Sequence, residues 1–184
     1  MHPTVPDNST RQRILAATAE VLGRNGTAKL SLSEVATQAG VSRPTLYRYF
    51  ADKRELLDVF VVWERQYYER AIAKATADLP AHERLDAALR VIVEYQLSYP
   101  GLRMVDVEPD QVIKRMERVL PLMRERLQRL CTGPDAALSA ATAVRVAISQ
   151  YLVRSDDSDD FLAQLRHAAR ARYQRGASPE VVQG

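Results

Sequence analysis

The chain has 184 residues, and its 26 Lys and Arg against 23 Asp and Glu give a formal net charge of +3. With 46% hydrophobic and 27% charged residues, the composition excludes a disordered chain and is typical of a globular protein with its own core. The single cysteine, Cys131, excludes an intrachain disulfide framework. No apolar run approaches the roughly 20 residues that span a bilayer, and Met1 to Asn8 lack the pattern of a secretory signal. We therefore expect a cytoplasmic protein without a membrane partner.

Capping patterns divide the first part of the chain into helices. Ser9-x-x-Gln12, Ser31-x-x-Glu34 and Asp52-x-x-Glu55 have the form of boxes that satisfy free backbone N–H groups at a helix start. Asn25-Gly26 and Gly40 are stop signals, and Pro44 suits a first helical turn. The predicted helices run from Thr10 to Arg24, from Leu32 to Ala39, from the Ser42 cap to about Phe50, and from Lys53 to about Ala77.

After Pro80 the apolar spacing stays helical, and no segment alternates as a strand would. Four further helices are predicted at about 81–99, 102–107, 110–130 and 135–153, and Pro121 is expected to kink the third of them. A last helix is predicted to run to about Tyr173. It begins at a group of acidic residues, which are favourable at a helix N-terminus: Asp156, Asp157, Asp159 and Asp160. The segment Gly176 to Gly184 is expected to be a frayed tail. The chain is therefore predicted to be all-α, with about nine helices.

The most informative segment is LSEVATQAGVSRPTLYRYFADK, from Leu32 to Lys53. Ala36, Gly40 and Leu46 occupy the positions where a helix-turn-helix needs a small residue at the crossing, a glycine in the turn and an apolar residue beneath the second helix. The exposed face of that second helix presents arginines and hydroxyl groups, which suit phosphate and base-edge contacts. Eight basic against five acidic residues up to Glu55 are compatible with a polyanionic partner, while the rest of the chain is neutral.

The string AGVSRPTLYRYFADKRELL resembles the N-terminal signature of TetR-family transcriptional regulators. The resemblance is close from Arg11 to Leu57, and beyond that only length and helix order agree. It implies a three-helix DNA-binding head over residues 1–52 and a helical domain over residues 53–184 that binds a small-molecule effector and dimerises. It also implies a repressor that leaves its operator when the effector binds. A TetR-like activator, or a regulator without an effector, remains the alternative.

The resemblance places the start of the recognition helix, where base edges are read, at Ser42 to Thr45, and it makes Lys53 a phosphate clamp. Tyr49 stands where histidine is frequent, and both side chains can donate to phosphate. Ser33 stands where many members have a longer basic residue, so the second helix is not expected to read a base. For Arg48, a solvent-exposed surface charge and a DNA contact are equally good interpretations. The candidate DNA contacts are Ser42, Arg43, Pro44, Thr45, Tyr47, Arg48, Tyr49 and Lys53.

Aromatic and methionine side chains are frequent in the middle of the chain, where they suit an adaptable apolar pocket. For any single one of them, ordinary core packing is an equally good interpretation. The candidate effector-binding residues are Trp63, Tyr67, Tyr95, Tyr99, Met104, Met116 and Met123. Arg103, or the acidic residues Asp106, Glu108 and Asp110, are candidates for selecting ligand charge, although a solvated helix cap is the favoured interpretation for the acids.

The eighth predicted helix has small side chains that let another helix approach closely: Ala136, Ser139, Ala140, Ala143 and Ala147. The last helix is amphipathic through Phe161, Leu162, Leu165 and Ala169. In the family that the chain resembles, these two helices form a four-helix dimer interface. We therefore expect a homodimer whose recognition helices enter successive major grooves of double-stranded DNA about 34–36 Å apart, on a pseudo-palindromic operator.

An enzyme is the competing class. His2, His82 and His167 have no metal-ligand spacing, and Cys131 has no partner nearby in sequence. No catalytic residue, metal or cofactor is therefore expected. A helical interaction module with a vestigial helix-turn-helix is a further alternative, against which the intact Tyr47, Tyr49 and Lys53 argue.

Overall fold

The computed structural model describes residues 10–154 and 158–170, and in these ranges the chain is helical without a strand. The α-helices are α1 (Thr10–Lys29), α2 (Leu32–Gln38), α3 (Arg43–Tyr49), α4 (Lys53–Thr76), α5 (Ala81–Ser98), α6 (Met104–Val107), α7 (Pro109–Gln128), α8 (Ala136–Leu152) and α9 (Ser158–Arg170). A short 3₁₀ helix, Pro100–Arg103, precedes α6. The all-α prediction is confirmed. The Ser9 cap, Asp156, Asp157, the end of the last helix near Tyr173 and the C-terminal tail lie outside the described residues.

Side-chain caps begin three of the helices, as the sequence predicted. A serine or aspartate oxygen accepts a hydrogen bond from the backbone N–H three residues later in the pairs Ser31 with Glu34 (3.2 Å), Ser42 with Thr45 (3.2 Å) and Asp52 with Glu55 (2.8 Å). The Glu34 carboxylate, however, accepts from Asn25 at 2.7 Å, so it ties α2 to α1. These caps define where the short helices of the N-terminal part begin.

Helix α1 breaks at Gly26, where the sequence predicted a stop. The backbone leaves helical geometry there (φ 72°, ψ 179°), so the range Thr10–Lys29 combines two helical segments on either side of a kink. A Cβ at Gly26 would lie only 2.7 Å from Glu108 Cδ. Both the positive φ and this close approach therefore require glycine.

The buried apolar residues form two clusters. The first joins α1, α2, α3 and the first half of α4 to Tyr99, Met104, Val112 and Tyr151 from later in the chain. The second lies among α5, α7, α8 and α9, around Leu89, Phe161 and Leu165, whose side chains are fully buried. The first cluster thus contains residues from both sides of position 52.

The small residues of α8 pack within the chain. Ser139, Ala140, Ala143 and Ala147 are buried, and α8 packs against α7 and α9. The sequence correctly indicated a close helix neighbour, but the neighbours in this structure belong to the same chain. The exposed side of α8 is a different stripe at helical spacing, namely Leu138, Thr142, Arg145, Ser149 and Leu152.

Helix α7 runs from Pro109 to Gln128 and passes through Pro121, where the sequence predicted a kink. Among the helices described, none is both long and apolar enough to cross a membrane. The described residues likewise contain no group of three or more potential metal-ligating His, Cys, Asp or Glu side chains.

Candidate nucleic-acid interface and ligand cavity

Helices α2 and α3 form a helix-turn-helix joined at Gly40. This glycine has φ 63°, and a Cβ there would meet nothing within 4 Å, so the backbone angle rather than space requires it. The N–H of Val41 donates to the Ala36 carbonyl at 3.0 Å, which closes the turn. Leu46 is fully buried beneath the second helix, as its position in the motif predicted, and Val35 of α2 is fully buried as well.

The outer face of α3 is open to solvent. Arg43, Pro44, Tyr47, Arg48 and Tyr49 are all exposed, with Tyr47 at 53% and Tyr49 at 37%. The Arg48 guanidinium lies 5.6 Å from the centre of the Tyr49 ring. The two tyrosines and two arginines are exposed, so they do not contribute to the packed core. Their O–H and N–H groups form a surface of hydrogen-bond donors, for which phosphates and base edges are suitable acceptors.

The start of α3 is preorganised by two hydroxyl groups. Ser42 Oγ accepts from the Thr45 N–H and lies 2.8 Å from Thr45 Oγ1. Each hydroxyl retains further hydrogen-bonding capacity beyond this contact. The first turn of α3 is therefore held in one conformation while its polar atoms stay available to a partner.

Lys53 lies at the first position of α4 and is half-buried. Its Nζ donates to the Ala28 carbonyl at 3.1 Å, which uses one of the three ammonium protons. The charge is thereby positioned where α1 and α4 meet, at the edge of the helix-turn-helix.

Glu108 connects the end of α1 to the α6–α7 junction, a contact that the sequence did not reveal. Its carboxylate accepts from the backbone N–H groups of Thr27 and Ala28, both at 2.8 Å. Burial acts to raise the pKa of Glu108, but these two hydrogen bonds and the charge of Lys53 outweigh it, so the pKa lies below its usual value. The only local signal was Gly26, whose missing side chain makes room for the carboxylate.

The predicted effector residues Trp63 and Tyr67 lie in the first buried cluster, against α1. Trp63 is 5% exposed, its ring centre is 5.9 Å from that of Phe60 and 5.7 Å from that of Tyr67, and its indole N–H donates to Gln12. Met104 is buried in the same cluster, and Met116 packs against it. The structure thus brings these four predicted residues together in a packed region.

Tyr95 and Tyr99 stack on each other at 4.6 Å between ring centres, and Tyr95 meets Tyr68 edge-on at 5.2 Å. Burial raises the pKa of all three phenols above the usual value. They are therefore neutral hydroxyl groups at physiological pH, and each can donate a hydrogen bond.

A cavity of about 250 Å³ lies between α4, α5, α7, α8 and α9, and Met123 is the predicted effector residue that lines it. The apolar part of its wall includes Ile72, Ala88, Ile92, Leu127, Val144 and Leu165. Tyr68 adds a hydroxyl-bearing ring, and Glu69, Arg126 and Arg129 add charge. The sequence did not single out Tyr68, although Tyr68 and Ile72 are spaced four residues apart on α4 and so share one face.

Two ion pairs hold α7 to α4, one of them at the wall of this cavity. Arg126 pairs with Glu69 at the cavity wall, and Arg115 pairs with Glu64, whose side chain is buried. Because the Glu69–Arg126 pair neutralises its own charges, the cavity presents a largely apolar interior with a polar rim.

Comparison with known proteins identifies the N-terminal part most clearly. The family model described as "Bacterial regulatory proteins, tetR family" matches residues 14–59. An uncharacterised HTH-type transcriptional regulator of Mycobacterium tuberculosis is 29% identical over 182 residues, covering 86% of this chain and 76% of the relative. The HTH-type transcriptional repressor LfrR of Mycolicibacterium smegmatis is 37% identical over 101 residues, which is 54% of this chain and 51% of that protein.

Solved structures resemble the whole described fold. A TetR-like transcriptional regulator from Rhodococcus sp. RHA1 superposes with a TM-score of 0.63 at 22% identity, covering 90% of this chain and 96% of the other. The fatty acid degradation regulator FadR from Bacillus halodurans superposes with a TM-score of 0.65 at 15% identity, covering 89% and 96%. At these identities the likeness concerns the arrangement of helices.

Proposed function

Because the chain belongs to the TetR family of bacterial transcriptional regulators, we propose that it is a repressor that binds a pseudo-palindromic DNA operator as a homodimer in the cytoplasm and is released by a small, largely apolar effector. The observation that carries the proposal is the outer face of α3, where two tyrosines and two arginines are exposed on a helix whose other side is fully buried at Leu46. A helix presented in this way can enter a major groove.

The proposed DNA contacts divide by chemistry. Arg43 and Thr45, in the first turn of α3, are proposed to read base edges, with Ser42 and Pro44 shaping that turn. The hydroxyls of Tyr47 and Tyr49, together with Arg48 and the Lys53 ammonium, are proposed to bind phosphates, which position the head but carry no sequence information. The division of the chain at residues 52 and 53 into a DNA-binding head and a sensor domain is part of this proposal.

The proposed effector site is the cavity between α4, α5, α7, α8 and α9. Its volume of about 250 Å³ and apolar wall suit a small apolar molecule. Of the seven effector residues predicted from sequence, this proposal keeps Met123 in the site and adds Tyr68. Trp63 and Tyr67 belong to the first buried cluster and do not line this cavity.

The Glu108 contact supports a route from this cavity to the head. Helix α7 contributes Met123 and Arg126 to the cavity, and Glu108 at its N-terminus holds the backbone of Thr27 and Ala28. An effector that binds more tightly when α7 is displaced favours the conformation of the head that goes with the displaced α7. The equilibrium between the two head positions shifts by the difference between the effector's affinities for the two conformations. We propose that operator release follows from that shift.

The proposed homodimer uses the exposed faces of α8 and α9. Leu138 is 48% exposed, and it lies at one end of the α8 stripe that ends with Leu152. Apolar residues at both ends of a surface stripe, with smaller and polar residues between them, are suited to an isologous helix-to-helix interface.

The experiment is selection of DNA fragments from a random pool by the purified full chain, followed by sequencing. The proposal expects a pseudo-palindrome with half-site centres about 10–10.5 base pairs apart, or a multiple of that spacing. Tyr47→Ala serves as the matched protein control, checked for folding by circular dichroism, since its side chain is exposed. Enrichment of no common sequence by the wild-type chain would rule out a specific operator.

The effector claim is tested with decanol, indole and 1-naphthol as apolar probes, read by calorimetric titration and by affinity for the selected operator. Ala73→Leu narrows the cavity from an exposed position on its wall, and Ala77→Leu, an exposed alanine just after the end of α4 and outside that wall, is the control. We expect weaker probe binding in Ala73→Leu alone. Probes that bind equally to both variants, or that leave operator affinity unchanged, would contradict this site or its coupling.

A further inference from the structure

We propose that the chain has a second ligand site, a polar cleft that binds a small carboxylate carrying its own hydrogen-bond donor. The cleft has a volume of about 470 Å³ and lies between the ends of α5 and α8, the 3₁₀ helix and α1. The side chains that argue for it are Glu20, Gln96, Tyr99, Arg103 and Arg154. It shares no lining residue with the apolar cavity, and the inference does not depend on that cavity's role.

Two buried polar atoms of the cleft wall have no hydrogen-bond partner in the part of the chain that the structure describes: the Tyr99 hydroxyl and Gln96 Oε1. Tyr99 is only 6% exposed, and although the phenol of the stacked Tyr95 is close enough to act on the pKa of Tyr99, the two oxygens do not meet full hydrogen-bond geometry. A buried polar group without a partner is unfavourable, and most such groups in folded proteins are satisfied. The cleft therefore offers one donor and one acceptor to a ligand.

The orientation of Gln96 is set by the chain itself. Its Nε2 donates to the Ala147 carbonyl at 3.0 Å, which holds the amide in place and leaves Oε1 as the acceptor. A ligand that carries only an anionic group would leave this oxygen unsatisfied. The ligand must therefore supply an N–H or O–H as well as an anion.

The cations of the cleft select the anionic group. Among the described residues Arg103 has no ion-pair partner and is exposed, whereas Arg154 is held by Asp106 at 2.8 Å. A carboxylate can pair with Arg103 and accept from the neutral Tyr99 hydroxyl at the same time. Glu20 brings a negative charge on the α1 side, which favours the hydroxyl or ammonium end of the ligand there.

Hydroxy acids and amino acids share this chemistry, and a matched set of probes distinguishes them. The probes are 3-hydroxybutyrate and 4-aminobutyrate, with butyrate as the carboxylate without a donor and sulfate as a simple anion. Calorimetric titration of the full chain is expected to give at least one of the first two a dissociation constant about tenfold below that of butyrate. Equal binding of butyrate, sulfate and both donor-bearing probes would overturn the proposal, as would no binding of either donor-bearing probe.

Two variants test the residues. Tyr99→Phe and Arg103→Gln are each expected to weaken binding of the tighter probe about tenfold, while Arg118→Gln, an exposed arginine on α7 outside the cleft, leaves it unchanged. Tyr99→Phe removes a hydroxyl without a partner, so the melting temperature of the ligand-free protein is expected to hold or rise. Wild-type affinity in both cleft variants, or an equal loss in Arg118→Gln, would overturn the site. A lower ligand-free melting temperature in Tyr99→Phe would also overturn it, because the hydroxyl would then have a structural role.

Discussion

Tyr47 is an exposed side chain of α3, whereas the ammonium group of Lys53, at the start of α4, is held beside the Ala28 carbonyl. Neither side chain is buried in the core as Leu46 is, so either side chain can be truncated without leaving a cavity in the core. They therefore allow the phosphate contribution to DNA binding to be measured apart from folding.

We predict that Tyr47→Ala and Lys53→Ala each weaken binding to specific and random DNA alike, by about tenfold, because each removes a proposed phosphate contact. For Lys53→Ala the slope of log affinity against log salt should also become shallower by about one counterion. Fluorescence anisotropy over a series of salt concentrations measures both quantities. Lys74→Ala, an exposed lysine in the last turn of α4, is the control. An unchanged salt slope in Lys53→Ala would contradict the clamp.

Thr45→Ala is predicted to act differently, because Thr45 lies in the first turn of α3 and its hydroxyl contacts Ser42 rather than the core. The Ser42 cap on the Thr45 backbone N–H persists in the variant. Discrimination should relax at one base position by about 1–3 kcal/mol, with little change on random DNA. A panel of operators with single substitutions measures this. An equal loss on all sequences would reassign Thr45 to phosphate binding.

At the residue scale, the sequence predicted what depends on neighbours within a few positions. The caps at Ser31, Ser42 and Asp52 and the glycine of the turn are local features, and the structure confirms them. Glu108 could not be identified in this way. Its partners are about 80 residues earlier in the chain, and nothing near Glu108 in sequence distinguishes it from a solvated acid at a helix start.

At the scale of helices, Glu108 is predicted to stabilise the contact between α7 and α1. Glu108→Ala leaves the N–H groups of Thr27 and Ala28 without their acceptor and should lower the free energy of unfolding by about 1–3 kcal/mol. Urea denaturation measures this, and Glu117→Ala on the exposed side of α7 is the control. If the proposed route to the head is correct, Glu108→Ala also reduces the effector's influence on operator affinity. Equal stability of the two variants would contradict the contact.

A second helix contact predicts a pH dependence. Asp86 on α5 accepts two hydrogen bonds from Arg166 on α9, at 2.6 and 3.0 Å, and the Arg166 bond lowers the Asp86 pKa to about 2, with a smaller contribution from Arg90. Because the folded pKa lies below the unfolded value, this stabilisation is present above about pH 4 and is lost as the pH falls towards 2.

Asp86→Asn is therefore predicted to be less stable than wild type at pH 5, by about 1 kcal/mol because the pair is partly open to solvent, and the difference should shrink between pH 4 and 2. Denaturant titrations at successive pH values measure it. Asp58→Asn, an exposed carboxylate paired only with Arg54 at 3.9 Å, is the control. A difference that stays constant down to pH 2 would mean that the Asp86 charge is not responsible.

The helix scale also shows what periodicity can and cannot determine. The small residues of α8 correctly indicated a close helix neighbour, but spacing within one helix does not say which chain supplies that neighbour. In this structure α7 and α9 occupy the small-residue side, so the proposed dimer contact of α8 is assigned to the exposed stripe from Leu138 to Leu152. The break in α1, by contrast, was predictable, because Gly26 adopts a positive φ at which an α-helix cannot continue.

At the scale of the whole molecule, Leu138→Glu is predicted to convert the homodimer to a monomer, because it places a charge in the proposed interface. Light scattering at micromolar concentration measures the mass. Ile113→Glu is a matched control, since Ile113 on α7 is 47% exposed and Leu138 is 48% exposed. A wild-type chain that is already monomeric, or a Leu138→Glu variant that remains dimeric, would contradict the proposed interface.

The class of the molecule was predictable from one segment, because a helix-turn-helix requires particular residue types at short, fixed spacings. The apolar cavity was not, because its wall combines side chains from five helices and depends on how those helices pack. Trp63 and Met123 have similar sequence signals, yet one is packed against α1 and the other lines the cavity. Only tertiary packing separates these two environments.

In the proposed complex, two copies of α3 enter successive major grooves of one operator. The most direct measurement is protection of guanine N7 from methylation on the selected operator, because that atom lies in the major groove. We predict two protected patches about 10–10.5 base pairs apart, with two chains bound per operator. A single protected patch, or a specific complex without major-groove protection, would contradict it.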